Sequence, residues 1–278
     1  MIRSIYALLV ASALFAGAAP ATSALGQDIE PERCPRFVAS IPYLVPAGLT
    51  VPAQADESEV RLTYIGHSTF LIESPSGVTI ATDYNDSIRP TIVPEIVTMN
   101  RAHTTHFSFF PEPEIEHVLQ GWGENGVPAR HDLTVRDVWI RNVTTNIRGG
   151  FGESASIQRD MNSMFVFEVS GLCIAHLGHL HHPLTDDHLK ALGRIDVVLA
   201  PVDGSFTLNV DDMIGVLQDI QAPLVIPMHY FGQSTLARFV SALEEHYTVE
   251  QSDTPSVLLS RSTLPPRATV LILPSRDF

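Results

Sequence analysis

Four short apolar segments of this chain each run into histidine, and this pattern constrains the fold more than any other feature. The histidines that follow these segments are His67, His103 with His106, the group within residues 176–182, and His229. Residues at strand ends can converge on one edge of a sheet although they are distant in sequence, and imidazole is the commonest metal ligand near neutral pH. One such histidine alone is more often a hydrogen-bonded structural residue. Recurrence in four segments favours a metal site.

The N-terminus has the composition of a secretory signal. An arginine precedes an unbroken apolar stretch, residues 5–19, and Ala19 and Ala21 then form an A-x-A arrangement. We predict a signal peptide over residues 1–21, with cleavage as late as residue 24 as the alternative. A membrane anchor is less favoured because the stretch is shorter than the roughly 20 residues that span a bilayer. The sequence therefore predicts a periplasmic or secreted protein with no membrane span after signal removal.

The rest of the chain is predicted to form an N-terminal extension, residues 22–58, and one domain, residues 59–278, because no Pro/Gly/Ser-rich linker divides it. The formal net charge is −14, and lysines and arginines form no cluster. This composition argues against nucleic acid as a partner and leaves a small-molecule substrate. The oligomeric state stays open.

The two cysteines could pair in an oxidising compartment. Cys173, however, lies in an apolar run, residues 171–175, that is typical of a buried strand. The sequence therefore favours unpaired Cys34 and Cys173 without deciding the question.

Short β-rich runs alternate with turns from residue 59 onward. The predicted strands are residues 60–65, 69–73, 78–82, 96–99, 164–169, 172–175, 195–200, 224–227, 256–259 and 269–273. Helices fall between the later strands: Thr185 and Asn209 are suited to capping two of them, and a third has an apolar face around Phe239. The irregular, Gly-rich residues 107–162 are predicted to be active-site loops. Early antiparallel strands followed by alternating strands and helices indicate layered sheets covered by helices.

Several motifs, in order, carry a family resemblance. They are Tyr64-Ile65-Gly66-His67-Ser68-Thr69-Phe70, Ala81-Thr82-Asp83, the turn with His103 and His106, His176-Leu177-Gly178-His179, Pro201-Val202-Asp203-Gly204-Ser205-Phe206-Thr207 and Ile226-Pro227-Met228-His229-Tyr230. This order resembles the metallo-β-lactamase superfamily and is most similar to its branch of metal-dependent hydrolases related to L-ascorbate-6-phosphate lactonase. The resemblance covers roughly residues 59–235. It implies an α/β fold, a four-layer αββα sandwich, with hydrolysis by a metal-bound hydroxide at one edge.

The metal motif departs from the family pattern. The family run Thr-His-x-His-x-Asp-His is replaced by residues 100–106, in which Arg101 stands for a histidine and Thr105 for the aspartate. The family's later Gly-Asp is Gly178-His179 here. A further ligand histidine has no clear counterpart, and Asn146 is the nearest candidate.

These departures predict a mononuclear site. We expect one divalent ion, zinc by preference, held by His106, His179 and His229 with His103 nearby; iron, copper or nickel would also suit imidazole ligands. The carboxylates Asp83 and Asp203 are candidates for the general base or for orienting a ligand histidine, and the orienting role is favoured for Asp83.

Two further residues are candidates for the catalytic site. By resemblance, His67 lines the site, although a structural hydrogen bond at a tight turn is its alternative role. Arg101 could supply a fixed positive charge in place of the first metal and bind a substrate oxygen.

Two functions remain compatible with this sequence. One is an exported metal-dependent hydrolase acting on an ester, lactone, amide or phosphoester. The other is a catalytically degenerate protein that binds a metal or a ligand. Addition of His179 where the family has a metal ligand favours the hydrolase.

Overall fold

The computed structural model describes residue 34 and residues 59–100, 103–149 and 156–276. The predicted signal peptide, all of the predicted extension except Cys34, and Arg101 lie outside these residues. The described parts of the chain form fourteen strands and three helices.

The first sheet has six strands and is built mainly from the early part of the chain. Its strands, in spatial order, are β13 (Ser256–Leu259), β1 (Val60–Gly66), β2 (Thr69–Glu73), β3 (Thr79–Ala81), β4 (Ile96–Met99) and β5 (His117–Gln120). β1 to β3 form the antiparallel meander predicted from sequence, whereas β3, β4 and β5 are parallel.

The second sheet has eight strands. They are, in spatial order, β12 (Thr248–Gln251), β14 (Thr269–Ile272), β11 (Leu224–Met228), β10 (Val197–Pro201), β9 (Leu172–His176), β8 (Ser156–Val169), β7 (Val138–Gly149) and β6 (Asp132–Val135). β9, β10 and β11 are parallel to one another, so their carboxyl ends meet at one edge.

Helices follow the parallel strands of the second sheet. α1 (Asp186–Leu192) begins after Thr185, whose hydroxyl accepts a hydrogen bond from the backbone of His188. α2 (Val210–Ile220) is capped in the same way by Asn209, and α3 (Gln233–Leu243) follows β11. These are the three helices that the sequence predicts.

Two apolar layers hold this arrangement together. One core lies between the sheets and contains Phe70, Ile96, Phe167 and Ile226; another lies between the second sheet and the helices, with Met213 and Phe239. The outer face of the first sheet is packed by side chains from irregular segments, among them Phe107 and Trp122. The predicted α/β sandwich is confirmed.

The prediction that residues 107–162 are loops is wrong where strands cross this range. β5, β6, the whole of β7 and the start of β8 lie there, and β7 and β8 form a long antiparallel hairpin with Val138 paired to Val169. β7 mixes β-branched with polar residues and is mostly half-buried, so it lacks the apolar run by which the other strands were identified.

The preference for unpaired cysteines is also wrong. Cys34 and Cys173 form a disulfide with a Cα–Cα distance of 6.0 Å. Cys173 does lie on a buried strand, but its side chain joins the core on the helix side of the sheet, where Cys34 packs too.

None of the described helices is long and apolar enough to cross a membrane.

Candidate metal centre

The histidines predicted to bind metal or to line the site follow the ends of strands from both sheets. His67 follows β1, His103 and His106 follow β4, His179 follows β9, and His229 follows β11. The backbone N–H of His229 donates to the carbonyl of His67 over 2.7 Å, which ties the two sheets together at this edge. The predicted convergence is therefore present in the structure.

Three residues of the centre have a left-handed backbone that non-glycine residues seldom adopt. The φ angles are 52° for His67, 42° for Asp83 and 53° for His229. Such a conformation costs of order 1–3 kcal/mol and is common at functional sites. At each of these positions the chain turns sharply as it leaves a strand, which directs the side chain toward the centre.

His106 and His229 form a pair with matched surroundings. Their Nε2 atoms are 3.1 Å apart, and both side chains are fully buried. The Nδ1 of His106 lies 2.5 Å from a carboxylate oxygen of Asp83, and the Nδ1 of His229 lies 3.1 Å from one of Asp203. Because an ionised carboxylate only accepts hydrogen bonds, each Nδ1 carries the proton and each Nε2 presents a lone pair.

Two lone pairs that face each other at this distance repel unless a cation lies between them. With a Zn–N bond of about 2.0–2.1 Å, two nitrogens of a tetrahedral zinc site are separated by about 3.3 Å. The separation of 3.1 Å between the two Nε2 atoms is close to that value. The residues present therefore fit a divalent transition metal, and histidines supported by carboxylates are the usual outer arrangement of such sites.

His103 and His179 form a second pair. Their Nε2 atoms are also 3.1 Å apart, but their Nδ1 atoms have neutral partners. The Nδ1 of His103 is 2.8 Å from the hydroxyl of Thr105, and the Nδ1 of His179 is 2.5 Å from the Nε2 of His181.

His67 completes the cluster. One ligand atom from each of His67, His103, His106 and His229 lies within 4.8 Å of the others, whereas His179 reaches the cluster through His103. We still count His179 as part of the centre, because its ring centroid is 4.8 Å from the centroids of both His106 and His229. His67 thus lies among the possible metal ligands. It is closer to the centre than the resemblance implied, which placed it in the lining of the site.

Burial favours the neutral imidazole at His67, His106 and His179. It lowers the pKa of His106 and of His179 well below the usual value, and the neighbouring histidines lower each further. For His67, burial followed by the effects of His229 and His103 lowers the pKa to about 3. The neutral ring is the form that binds metal.

The two carboxylates differ in their environment. Burial raises the pKa of Asp83, even though the side-chain amide of Asn100 donates to it over 2.8 Å. Burial would raise the pKa of Asp203 too, but hydrogen bonds from His229 and Thr207 and from the backbone of Ser205 hold it below its usual range. Both carboxylates are buried against candidate ligand histidines, which is the position of a group that orients a ligand.

Polar residues that the sequence analysis did not single out position the second pair. The carbonyl oxygen of the Asn162 side chain accepts the backbone N–H of His179 over 2.7 Å. Gly178 has φ +61°, and a Cβ there would lie 2.5 Å from Asn162 Oδ1 and 2.7 Å from Asn100 Nδ2. Gly178 corresponds to the glycine of the family's Gly-Asp motif. That correspondence could have shown from sequence that this position requires glycine.

Thr105 was noted only as the replacement of an aspartate. Its hydroxyl lies 2.9 Å from His67 Nε2 as well as 2.8 Å from His103 Nδ1, so it joins two imidazoles at the open side of the cluster.

Other candidates lie outside the cluster. The backbone N–H of Asn146 donates to His182 and its side chain accepts from the backbone of Asp160, so Asn146 does not replace the missing ligand. His176 is buried and hydrogen-bonded through Nε2 to the carbonyl of Ser68.

Comparison with known proteins agrees with this geometry. A family model described as the beta-lactamase superfamily domain matches residues 61–229, more than half of the chain. The chain belongs to the metallo-β-lactamase superfamily. The narrower similarity to the lactonase branch stays a prediction.

Relatives and solved structures extend the match. A UPF0173 metal-dependent hydrolase of Methanoculleus marisnigri is 26% identical over 192 residues, which cover 62% of this chain and 81% of that protein. One from Methanospirillum hungatei is 24% identical over 224 residues, covering 72% and 95%. A Thermotoga maritima structure, described as a Zn-dependent hydrolase of the metallo-β-lactamase superfamily, is 27% identical with a TM-score of 0.55, covering 77% of this chain and 98% of its own.

Proposed function

We propose that this protein is an exported hydrolase that depends on one divalent transition-metal ion, zinc by preference, and that cleaves an ester, lactone, amide or phosphoester. The observation that carries the proposal is the opposed Nε2 pair of His106 and His229, each fixed by a buried carboxylate. The names of the relatives, metal-dependent hydrolases, point to the same class of reaction.

In this proposal His106, His179 and His229 hold the ion, and His103 lies beside the remaining position. When bound, the metal supplies Lewis-acid activation of water near neutral pH. Asp83 and Asp203 hold the protons of His106 and His229 at Nδ1. Their two negative charges also offset the charge of the ion in a buried setting.

The open side of the cluster supplies the groups that meet a substrate. His67 and His103 are partly exposed, whereas His106, His179 and His229 are buried. His67 is neutral near pH 7 because its pKa is low, so it can exchange a hydrogen bond with substrate or water without adding charge. Arg101 follows β4 in sequence, and its assignment to a substrate oxygen remains part of the proposal.

Metal analysis combined with a substrate screen tests the proposal. We expect about one metal per chain in protein purified without chelator or metal-affinity resin. We also expect hydrolysis of simple esters or lactones that is lost on metal removal and restored by zinc. Absence of metal after reconstitution would contradict the proposal.

A closed metal-binding site is the second candidate. The observation in its favour is that His103 and His179 repeat the 3.1 Å separation of the other pair, so four imidazoles could fill a tetrahedral site and leave no position for water. That site would bind one metal, and the protein would hydrolyse none of the esters or lactones. X-ray absorption would then count four nitrogen ligands.

Export is supported by the signal-like N-terminus and by the Cys34–Cys173 disulfide, since disulfides persist in oxidising compartments. Fractionation of cells that express the full chain tests this part. We expect a periplasmic or secreted product whose first residue lies between 22 and 25. A cytosolic product with an intact N-terminus would contradict export.

A further inference from the structure

Two exposed phenylalanines stand beside the metal centre. Phe206 is 48% exposed and Phe231 is 60% exposed, and their rings meet edge to face with centroids 5.5 Å apart. The centroid of Phe231 lies 5.5 Å from that of His229 and 6.2 Å from that of His67. Because His67 is partly exposed and His229 is buried, Phe231 lies at the side where the cluster meets solvent.

The turn that carries Phe206 is anchored to the metal centre itself. One carboxylate oxygen of Asp203 accepts the backbone N–H groups of Ser205 and Phe206, over 2.9 and 2.5 Å, while the other lies next to His229 Nδ1. The same carboxylate therefore positions a candidate ligand and the backbone of Phe206.

Two arginines fix this turn from outside. The guanidinium of Arg238 donates to the carbonyl of Asp203, and that of Arg148 donates to the carbonyl of Thr207, each over 2.8 Å. The backbone that carries Phe206 is therefore held at three points.

Rigid aromatic side chains that remain exposed are typical of binding surfaces, because burying them against a ligand gains much and costs little conformational entropy. The net charge of −14 gives no steering toward polyanionic substrates. Both observations favour an uncharged, apolar substituent on the substrate.

We propose that Phe206 and Phe231 form an apolar wall that binds the alkyl or aryl substituent next to the bond that is hydrolysed. The substrate is then an ester, lactone or amide with an apolar substituent rather than a phosphoester. This inference rests on the proposed hydrolase function.

A homologous series of p-nitrophenyl esters, from acetate to octanoate, tests the wall on the metal-loaded protein. For the wild type we expect kcat/KM to rise about 2-fold per added methylene. This rise corresponds to half of the free energy that a fully buried methylene contributes. Phe231→Ala and Phe206→Ala should flatten this dependence, mainly through KM, so that more activity is lost on octanoate than on acetate. Phe231→Leu should keep most of the dependence.

Leu258→Ala is the matched control. Leu258 is 41% exposed but lies on β13, whose strand neighbour is β1 in the first sheet. This variant should retain the full chain-length dependence.

Binding of hydroxamates, which chelate metals, gives a readout that does not require turnover. By calorimetry the wild type should bind octanohydroxamate about 50-fold more tightly than acetohydroxamate. In Phe231→Ala this ratio should fall below about 5-fold. Circular dichroism spectra that match the wild type show that the variants are folded.

The outcomes separate the two proposals. No hydrolysis of any ester, lactone, amide or phosphoester by the metal-loaded wild type contradicts the proposed function. Hydrolysis without chain-length dependence, or with the same dependence in Phe206→Ala and Phe231→Ala as in the wild type, overturns the wall alone. Hydrolysis of p-nitrophenyl phosphate in preference to the esters overturns it as well.

Discussion

The two histidine pairs of the metal centre have the same Nε2–Nε2 separation, 3.1 Å, but different outer partners. His106 and His229 contact buried carboxylates, whereas His103 and His179 contact a hydroxyl and an imidazole. A carboxylate fixes the proton on Nδ1, while a hydroxyl or an imidazole can donate or accept. The first pair is therefore set to bind a cation, whereas no carboxylate fixes the tautomers of the second pair.

One contact orients the second pair further. The backbone N–H of Arg148 donates to the Nδ1 of His181 over 3.0 Å, so the proton of His181 lies on Nε2, toward His179. His179 then carries its own proton on Nε2, toward His103. A metal bound at His179 must displace this proton, so we expect His179 to contribute less to affinity than His229.

The largest effect is expected from His229→Ala. This change removes a ligand and leaves the buried Asp203 without its imidazole partner, so zinc affinity should fall about 1000-fold or more, beyond the 10–100-fold cost of losing an outer partner. His179→Ala should cost less, about 100-fold. Competition titration with a zinc chelator measures both, with His182→Ala as a control outside the cluster. A smaller loss of zinc affinity for His229→Ala than for His179→Ala would show that the second pair contributes more to zinc binding than the first.

Gly178→Ala should disrupt the second pair most directly. The new Cβ meets Asn162 and Asn100 at a backbone of φ +61°, so we expect His179 to be displaced and the protein to lose about 1–3 kcal/mol of stability. Gly126 has φ +79° and no neighbour within 4 Å of an added Cβ, so Gly126→Ala isolates the backbone strain. Urea unfolding and zinc affinity measure the difference. Equal effects of the two changes would show that crowding at Gly178 is unimportant.

Asp203→Asn and Asp83→Asn should weaken zinc binding about 10–100-fold each. An amide can donate to Nδ1, which would place the proton of the histidine on Nε2 and remove its lone pair from the centre. Chelator competition measures the affinity. Unchanged binding in both variants would mean that the carboxylates do not set the tautomers.

The smallest effect is expected from Thr105→Val, which removes the neutral partner shared by His67 and His103. Because the second pair is adaptable, zinc affinity should change less than 10-fold. A loss as large as that of Asp203→Asn, measured in the same titration, would erase the distinction between the pairs.

The sequence predicted the histidine cluster better than it predicted the strands around it. Apolar runs that end in histidine correctly placed His106, His179 and His229 at one edge, since that signal is local. β7 and the first part of β8 escaped prediction because most of their residues are half-buried or exposed and carry no strong period. Their stability depends on pairing across the sheet.

Contacts between segments that are distant in sequence were also not predicted. The Cys34–Cys173 disulfide joins residues 139 positions apart, and no local pattern reports where the earlier cysteine packs. The orienting role of Asp83, favoured from sequence, agrees with its contact to His106, whereas the contacts of Thr105 and Asn162 depend on how the sheets meet.

Anomalous X-ray diffraction from crystals of the zinc-loaded protein would show whether His106 and His229 bind the ion. We predict one zinc peak per chain, about 2.0–2.1 Å from the Nε2 atoms of both His106 and His229. A peak bound by His103 and His179 but not by His106 and His229, or no zinc in the cluster at all, would contradict the account.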